Sequence, residues 1–245
     1  MGSVVKILSQ AVAAVQRNLR ALAIYLVIAV GVSAAGTACN HLVRADPSQN
    51  PYGDPFLLTY ELVFQVVLVV SAAVAQTISF ARMAAEIERP LWKISGDREA
   101  LGRFFMLWFV LNGCVALLFE LAMWASYASE QGQPGSLLFL LYGFAFTVYI
   151  PIGVAVMFTG RVAWRQLGND LGPLLRQFPW FLLVLGINLF LFFFYFGLFV
   201  QTEAQPWLHP AITAISVYFD CVIFAAVWLI CRYDRDNPQE TDLDL

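Results

Sequence analysis

Polar and apolar positions fall into blocks along this chain. Six runs, at 21–42, 56–80, 104–128, 137–159, 178–200 and 208–231, carry almost no charge, and the charged residues gather between them. A helix rises about 1.5 Å per residue and a bilayer's hydrocarbon core is about 30 Å thick, so about 20 apolar residues make one crossing. Every run reaches that length. Strands of a membrane barrel alternate and are about ten residues long, whereas these runs are continuous and about twice as long. Lipid offers no partner to a bare backbone amide or carbonyl. The pattern therefore predicts an all-α membrane protein with six transmembrane helices, joined as three hairpins in series.

The flanking segments carry their own patterns. Val4, Leu8, Ala11, Val12, Val15 and Leu19 recur at helical spacing, with Lys6, Gln10, Arg17 and Arg20 largely opposite. This predicts an amphipathic interfacial helix over 1–20, with Val4, Leu8, Val12 and Val15 toward lipid. The run is broken at Gln10 and lacks a small-residue cleavage site, so it does not read as a signal peptide. Residues 21–231 form the six-helix domain. Residues 232–245 are expected to be an acidic, solvated tail containing Asp234, Asp236, Glu240, Asp242 and Asp244. In the longest connection, 81–103, Pro90-Leu91-Trp92-Lys93-Ile94 should bend at the proline and rest its Trp among headgroups.

Composition and charge add orientation. The chain is 60% hydrophobic and 13% charged, against about 25% charged in a soluble domain. Of fourteen Lys and Arg, all but Arg44 fall on one side of the alternating spans. The side rich in Lys and Arg faces the cytoplasm, so both termini are expected there, in the cell's inner (plasma) membrane. The basic residues serve topology and form no nucleic-acid patch. Cys39, Cys114, Cys221 and Cys231 form no CxxC pair.

Glu61, Glu120 and Asp220 lie within the spans, where a carboxylate costs about 2.5–3.5 kcal/mol to insert, and no intramembrane Lys or Arg offsets them. Gln65 and Asn188 extend this candidate intramembrane polar site, and Gln76, Asn112, Ser33, Thr37, Asn40, Thr213, Ser216 and Tyr195 add polar stripes. Two uses are open. The residues could line an outward-facing cavity for a proton, a cation or a small polar molecule, or they could hydrogen-bond the helices to one another. His41 and His209, near Asp46, Asp54 and Glu203, lack metal-ligand spacing, so no metal or other cofactor is expected. No phosphate loop, dinucleotide fingerprint or nucleophile elbow is present, and the chain does not read as an enzyme. The Phe-rich stretch around Phe192-Phe193-Phe194 faces either lipid or another membrane protein.

The segments RNLRALAIYLVIAV, REALGRFFMLWFVL and GPLLRQFPWFLLVLG, each leading into an odd-numbered span, resemble those of the YciC-like proteins. The layout also resembles the membrane domains found beside glycerophosphodiester phosphodiesterases. The resemblance implies a bacterial six-helix inner-membrane protein, without the soluble phosphodiesterase domain or its activity. The expected function is an accessory or scaffolding subunit of a membrane complex, partnered by the bilayer and by another membrane protein or a second copy. The alternative is a small transporter or channel using the intramembrane carboxylates.

The charge asymmetry has a direct test. Single cysteines placed at 98 or 170 should resist an impermeant thiol reagent applied to intact cells. Labelling from outside at either position contradicts the orientation.

Overall fold

The computed structural model describes residues 2–43, 53–88, 98–128, 136–160, 167–201 and 206–237. The Pro90–Ile94 segment, Asp46, Glu203, the tail from 238 onward and the side chain of His41 lie outside the described residues. The helices are α1 (Gly2–Arg17), α2 (Leu19–Val43), α3 (Pro55–Ile87), α4 (Arg98–Ala128) and α5 (Ser136–Thr159), then the short α6 (Leu167–Asp170) and α7 (Gly172–Arg176). α8 (Phe178–Gln201) and α9 (His209–Asp236) follow, separated by a one-turn 3-10 helix at Pro206–Leu208. No strand occurs among the described residues. α2, α3, α4, α5, α8 and α9 are each long and apolar enough to cross a membrane. The start of α3 is fixed locally. Asp54 accepts the Phe56 amide at 2.8 Å, and Pro55 fills the first helical position, where no amide donor is needed.

α2 packs on α3, α3 on α4 and α4 on α5, while α5 and α8 pack on α9, which returns to α2. α3 meets α4 as closely as either meets its hairpin partner, so the spans form a continuous ring and the three expected hairpins do not stand apart. α9 is the hub, touching α1, α2, α3, α5, α7 and α8. Its second half explains this: Val222 to Trp228 is a run of apolar side chains buried on every face. A helix apolar all round has to be enclosed by protein or lipid.

An aromatic layer ties the hub to its neighbours. The fully buried Phe80 of α3 stacks on Phe224 of α9 at 4.3 Å and meets Trp108 of α4 at 5.1 Å and Tyr25 of α2 at 5.7 Å. Trp228, one turn beyond Phe224, stands edge-on to Phe158 of α5 at 5.1 Å. Gly153 lets α5 approach the buried Trp108 ring so closely that a Cβ there would collide with it, and Gly143 does the same for Phe192 of α8. A second cluster joins α5 to α8 through Phe139, Tyr142, Phe146, Phe192 and Phe196. The Phe-rich stretch thus divides by face: Phe192 packs inward, while Phe190, Phe193 and Phe194 remain exposed on the outside of the bundle.

α1 covers Gly2–Arg17, and Leu19 and Arg20, expected in the same helix, already belong to α2; the apolar face of α1 is partly spent on protein. Ala11 and Val15 are fully buried, and Val12 packs against the core. Val15 therefore does not face lipid as its position in the amphipathic pattern predicts. The cause is the length of α9, whose 28 residues span about 42 Å and outrun a 30 Å hydrocarbon layer. The overhanging end gives α1 a protein surface to pack on.

Candidate functional site

Five spans meet through one chain of polar side chains. Asn112 of α4 donates to the Gln76 Oε1 of α3 at 2.6 Å. Gln76 Nε2 donates to the Tyr25 hydroxyl of α2 at 3.0 Å and reaches the Tyr149 hydroxyl of α5 at 3.4 Å. The Tyr25 hydroxyl in turn donates to Asp220 Oδ2 of α9 at 2.9 Å. Every donor along this line points toward Asp220, which ends it as an acceptor. Gln76, Tyr25 and Tyr149 are buried, and Asn112 and Asp220 are partly buried.

The chain sits on the aromatic layer with a fixed offset. Gln76 precedes Phe80, and Asp220 precedes Phe224, by four residues, while Asn112 follows Trp108 by four on the oppositely directed α4. Residues four apart share a helix face, about 6 Å apart along the axis. Each of the three helices thus presents one polar and one aromatic residue to the same centre. The layers reinforce each other, since the rings exclude alternative partners and the hydrogen bonds fix the rotation of each helix.

The expected site residues are placed at different levels. Glu61 lies fifteen residues from Gln76 on α3, about 22 Å along the axis, and Gln65 lies about 16 Å away. Glu120 stands eight residues beyond Asn112 on α4, about 12 Å away. Glu61, Gln65 and Glu120 are half-buried. The three acids are therefore spread through the depth of the bundle, and it is Asp220 that joins the polar chain. Other stripes zip the far end: Tyr60 donates to Asn40 at 2.9 Å and Thr213 to Ser33 at 3.1 Å.

Asn188 has a separate task. Pro151 lies inside α5, and a proline cannot supply the amide that the carbonyl four residues earlier requires. That carbonyl belongs to Thr147, and Asn188 Nδ2 of α8 donates to it at 2.7 Å. Both Asn188 and Thr147 are buried. A side chain from a neighbouring span thus satisfies the backbone group that the proline releases, as lipid cannot.

The end of the bundle that carries the basic residues holds charges that the sequence reading did not single out. Glu88 is 4% exposed; its two oxygens accept from Trp228 Nε1 at 3.1 Å and Arg235 Nη2 at 3.2 Å. Arg235 also lies over the Phe158 ring, 5.3 Å from its centroid. Asp234 is buried and binds Arg176 through both carboxylate oxygens, at 3.1 and 2.7 Å. This hydrogen-bonded carboxylate holds the Arg176 pKa above its ordinary value. Asp234 is thereby part of the folded end of α9, not of a solvated tail, because α7 brings it a fork-shaped partner. No group of three or more His, Cys, Asp or Glu among the described residues is placed to hold a metal ion. Cys39 and Cys114 are exposed and Cys221 and Cys231 buried, all with free thiols.

Tyr25 and Tyr149 went unnoticed because a tyrosine inside an apolar run reads as apolar.

The role of Asn188 is open to a compensation test. Asn188→Leu should lower the thermal stability of the purified protein by about 1–2 kcal/mol, the usual cost of a stranded buried acceptor. Pro151→Ala restores an amide to α5, so Asn188→Leu should cost markedly less in that background. Equal costs in both backgrounds contradict the pairing.

No family model, no curated protein and no solved structure matches this chain.

Proposed function

We propose that this integral membrane protein is a non-enzymatic accessory or scaffolding subunit of a complex in the bacterial inner membrane, with both termini cytoplasmic. The observation that carries this is the use of the polar groups inside the spans. Asn112, Gln76, Tyr25 and Asp220 bond directly to one another, and Asn188 bonds to the Thr147 carbonyl. A translocation path needs groups that exchange partners with cargo and water. Here they serve as cross-links between spans, which suits a rigid body that holds something else in place. Phe190, Phe193 and Phe194 on the outer side of α8 provide a rigid aromatic surface of the kind membrane proteins pack together.

One observation favours the transporter as a second reading. Asp220 is an acid near the middle of α9 that is bonded by Tyr25 and makes no ion pair among the described residues. An acid in that position is suited to taking up a proton or cation.

Purification from native membranes in mild detergent, of wild type and Asp220→Asn, separates the two. Asparagine keeps an oxygen to accept from Tyr25 but cannot carry the charge. The scaffold predicts a stoichiometric membrane partner that copurifies equally with both proteins, and near-normal thermal stability of the variant. Recovery of the wild type alone or as a homo-oligomer, with a cation- or proton-dependent flux in liposomes that Asp220→Asn abolishes, overturns it in favour of the transporter.

A further inference from the structure

α1 does not close flat against the end of α9. Ala13 and Ala14 present short side chains to the gap, and a groove of about 500 Å³ remains between α1 and the ends of α3 and α9. That is within the range of small-molecule sites, about 300–1,000 Å³. Ile7, Ile87 and Leu229 give it an apolar floor, and Arg17, Arg232, Glu86 and Asp236 bring charge to it.

The level of the groove is set by the spans. Arg17 ends α1 two residues before α2 begins, and Arg232 is the first charged residue after the apolar run of α9. Both cations therefore stand where hydrocarbon gives way to lipid headgroups, the depth at which a phospholipid carries its phosphate. Arg17 makes no ion pair among the described residues. Arg232 is held in place by the Ile87 carbonyl at 3.0 Å and by Asp236 at 3.5 Å. Guanidinium groups match phosphate oxygens in geometry as well as charge.

The sign of the remaining charges narrows the occupant. Arg17 and Arg232 are matched in the groove by Glu86 and Asp236, and Arg235, which reaches Asp236 at 3.2 Å, is matched by Glu88 at 3.2 Å, so the groove has no excess charge to offer a purely anionic headgroup. A primary ammonium donates three hydrogen bonds to carboxylates, whereas a quaternary one donates none. We propose that this groove binds the headgroup of a zwitterionic aminophospholipid: its phosphate lies against Arg17 and Arg232, its ammonium lies toward Glu86 and Asp236, and the start of an acyl chain covers Ile7, Ile87 and Leu229. The lipid fills the space that Ala13 and Ala14 leave, and so cements α1 to α9.

Native mass spectrometry of the full chain in a lipid-free detergent tests this, with phosphatidylethanolamine and phosphatidylglycerol added in equal amounts. Wild type should retain phosphatidylethanolamine in preference. Arg17→Gln should retain it about tenfold less, the effect of losing one charge-assisted contact, with unchanged thermal stability in the absence of lipid because Arg17 is exposed. Glu86→Gln should erase the preference between the two lipids while total lipid retention persists. Equal or greater retention of phosphatidylglycerol by wild type overturns the proposal, as does unchanged retention by Arg17→Gln. A parallel arm with inorganic phosphate alone distinguishes the source of the anion: stabilisation by phosphate, with no lipid retained, identifies a free-anion site and also overturns the proposal.

Discussion

Gln76 is 1% exposed and sits inside a span, where its amide has no water to bond. A buried amide without partners costs about 1–3 kcal/mol by mutational measures and more in an apolar medium. Its oxygen and nitrogen are satisfied by side chains from other helices, by Asn112, Tyr25 and, at longer range, Tyr149. That single requirement fixes how α2, α4 and α5 stand around α3. The extension from Tyr25 to Asp220 brings α9 into the same register. The aromatic layer one turn below follows, because Phe80, Trp108 and Phe224 ride on the same faces as Gln76, Asn112 and Asp220.

Helices in lipid gain little from the hydrophobic effect when they associate, and a single interhelical hydrogen bond contributes about 0.6 kcal/mol on average. The bundle therefore depends on many such contacts that agree in direction. The Asn188–Thr147 bond repairs the break that Pro151 makes in α5. The Glu88 and Asp234 pairs lock the end of α9 to α3 and α7. Each buried carboxylate there faces an arginine that is about half exposed, which keeps the cation hydrated while the anion is satisfied. Such pairs hold geometry more than they add stability, since exposed guanidiniums gain only modestly from pairing.

The number and approximate places of the spans were legible because one physical length, about 20 apolar residues, governs them. The polar members of the chain were legible in part. Gln76, Asn112, Asn188 and Asp220 stand out as polar letters in apolar runs, whereas Tyr25 and Tyr149 do not. Which polar residue meets which depends on helix rotation and depth, and a sequence carries neither. Glu61, Glu120 and Asp220 thus read as one group although they lie at separate levels. Pro151 and Asn188 were each visible, but their pairing required the packing of α5 on α8. Glu88 and Asp234 read as loop and tail residues because the helices run on past the apolar blocks. Val15 read as lipid-facing because amphipathic spacing does not say whether the apolar face meets lipid or protein.

Gln76 couples Asn112 of α4 to Tyr25 of α2, two side chains that each bond to it. A double-mutant cycle of Asn112→Ala and Tyr25→Phe, read as thermal or denaturant stability in detergent, tests it most directly. The expected coupling is about 0.5–1.5 kcal/mol, the scale of interhelical hydrogen bonds, and it disappears in a Gln76→Leu background. Additivity within about 0.3 kcal/mol in the wild-type background, or a coupling that survives removal of Gln76, would contradict it.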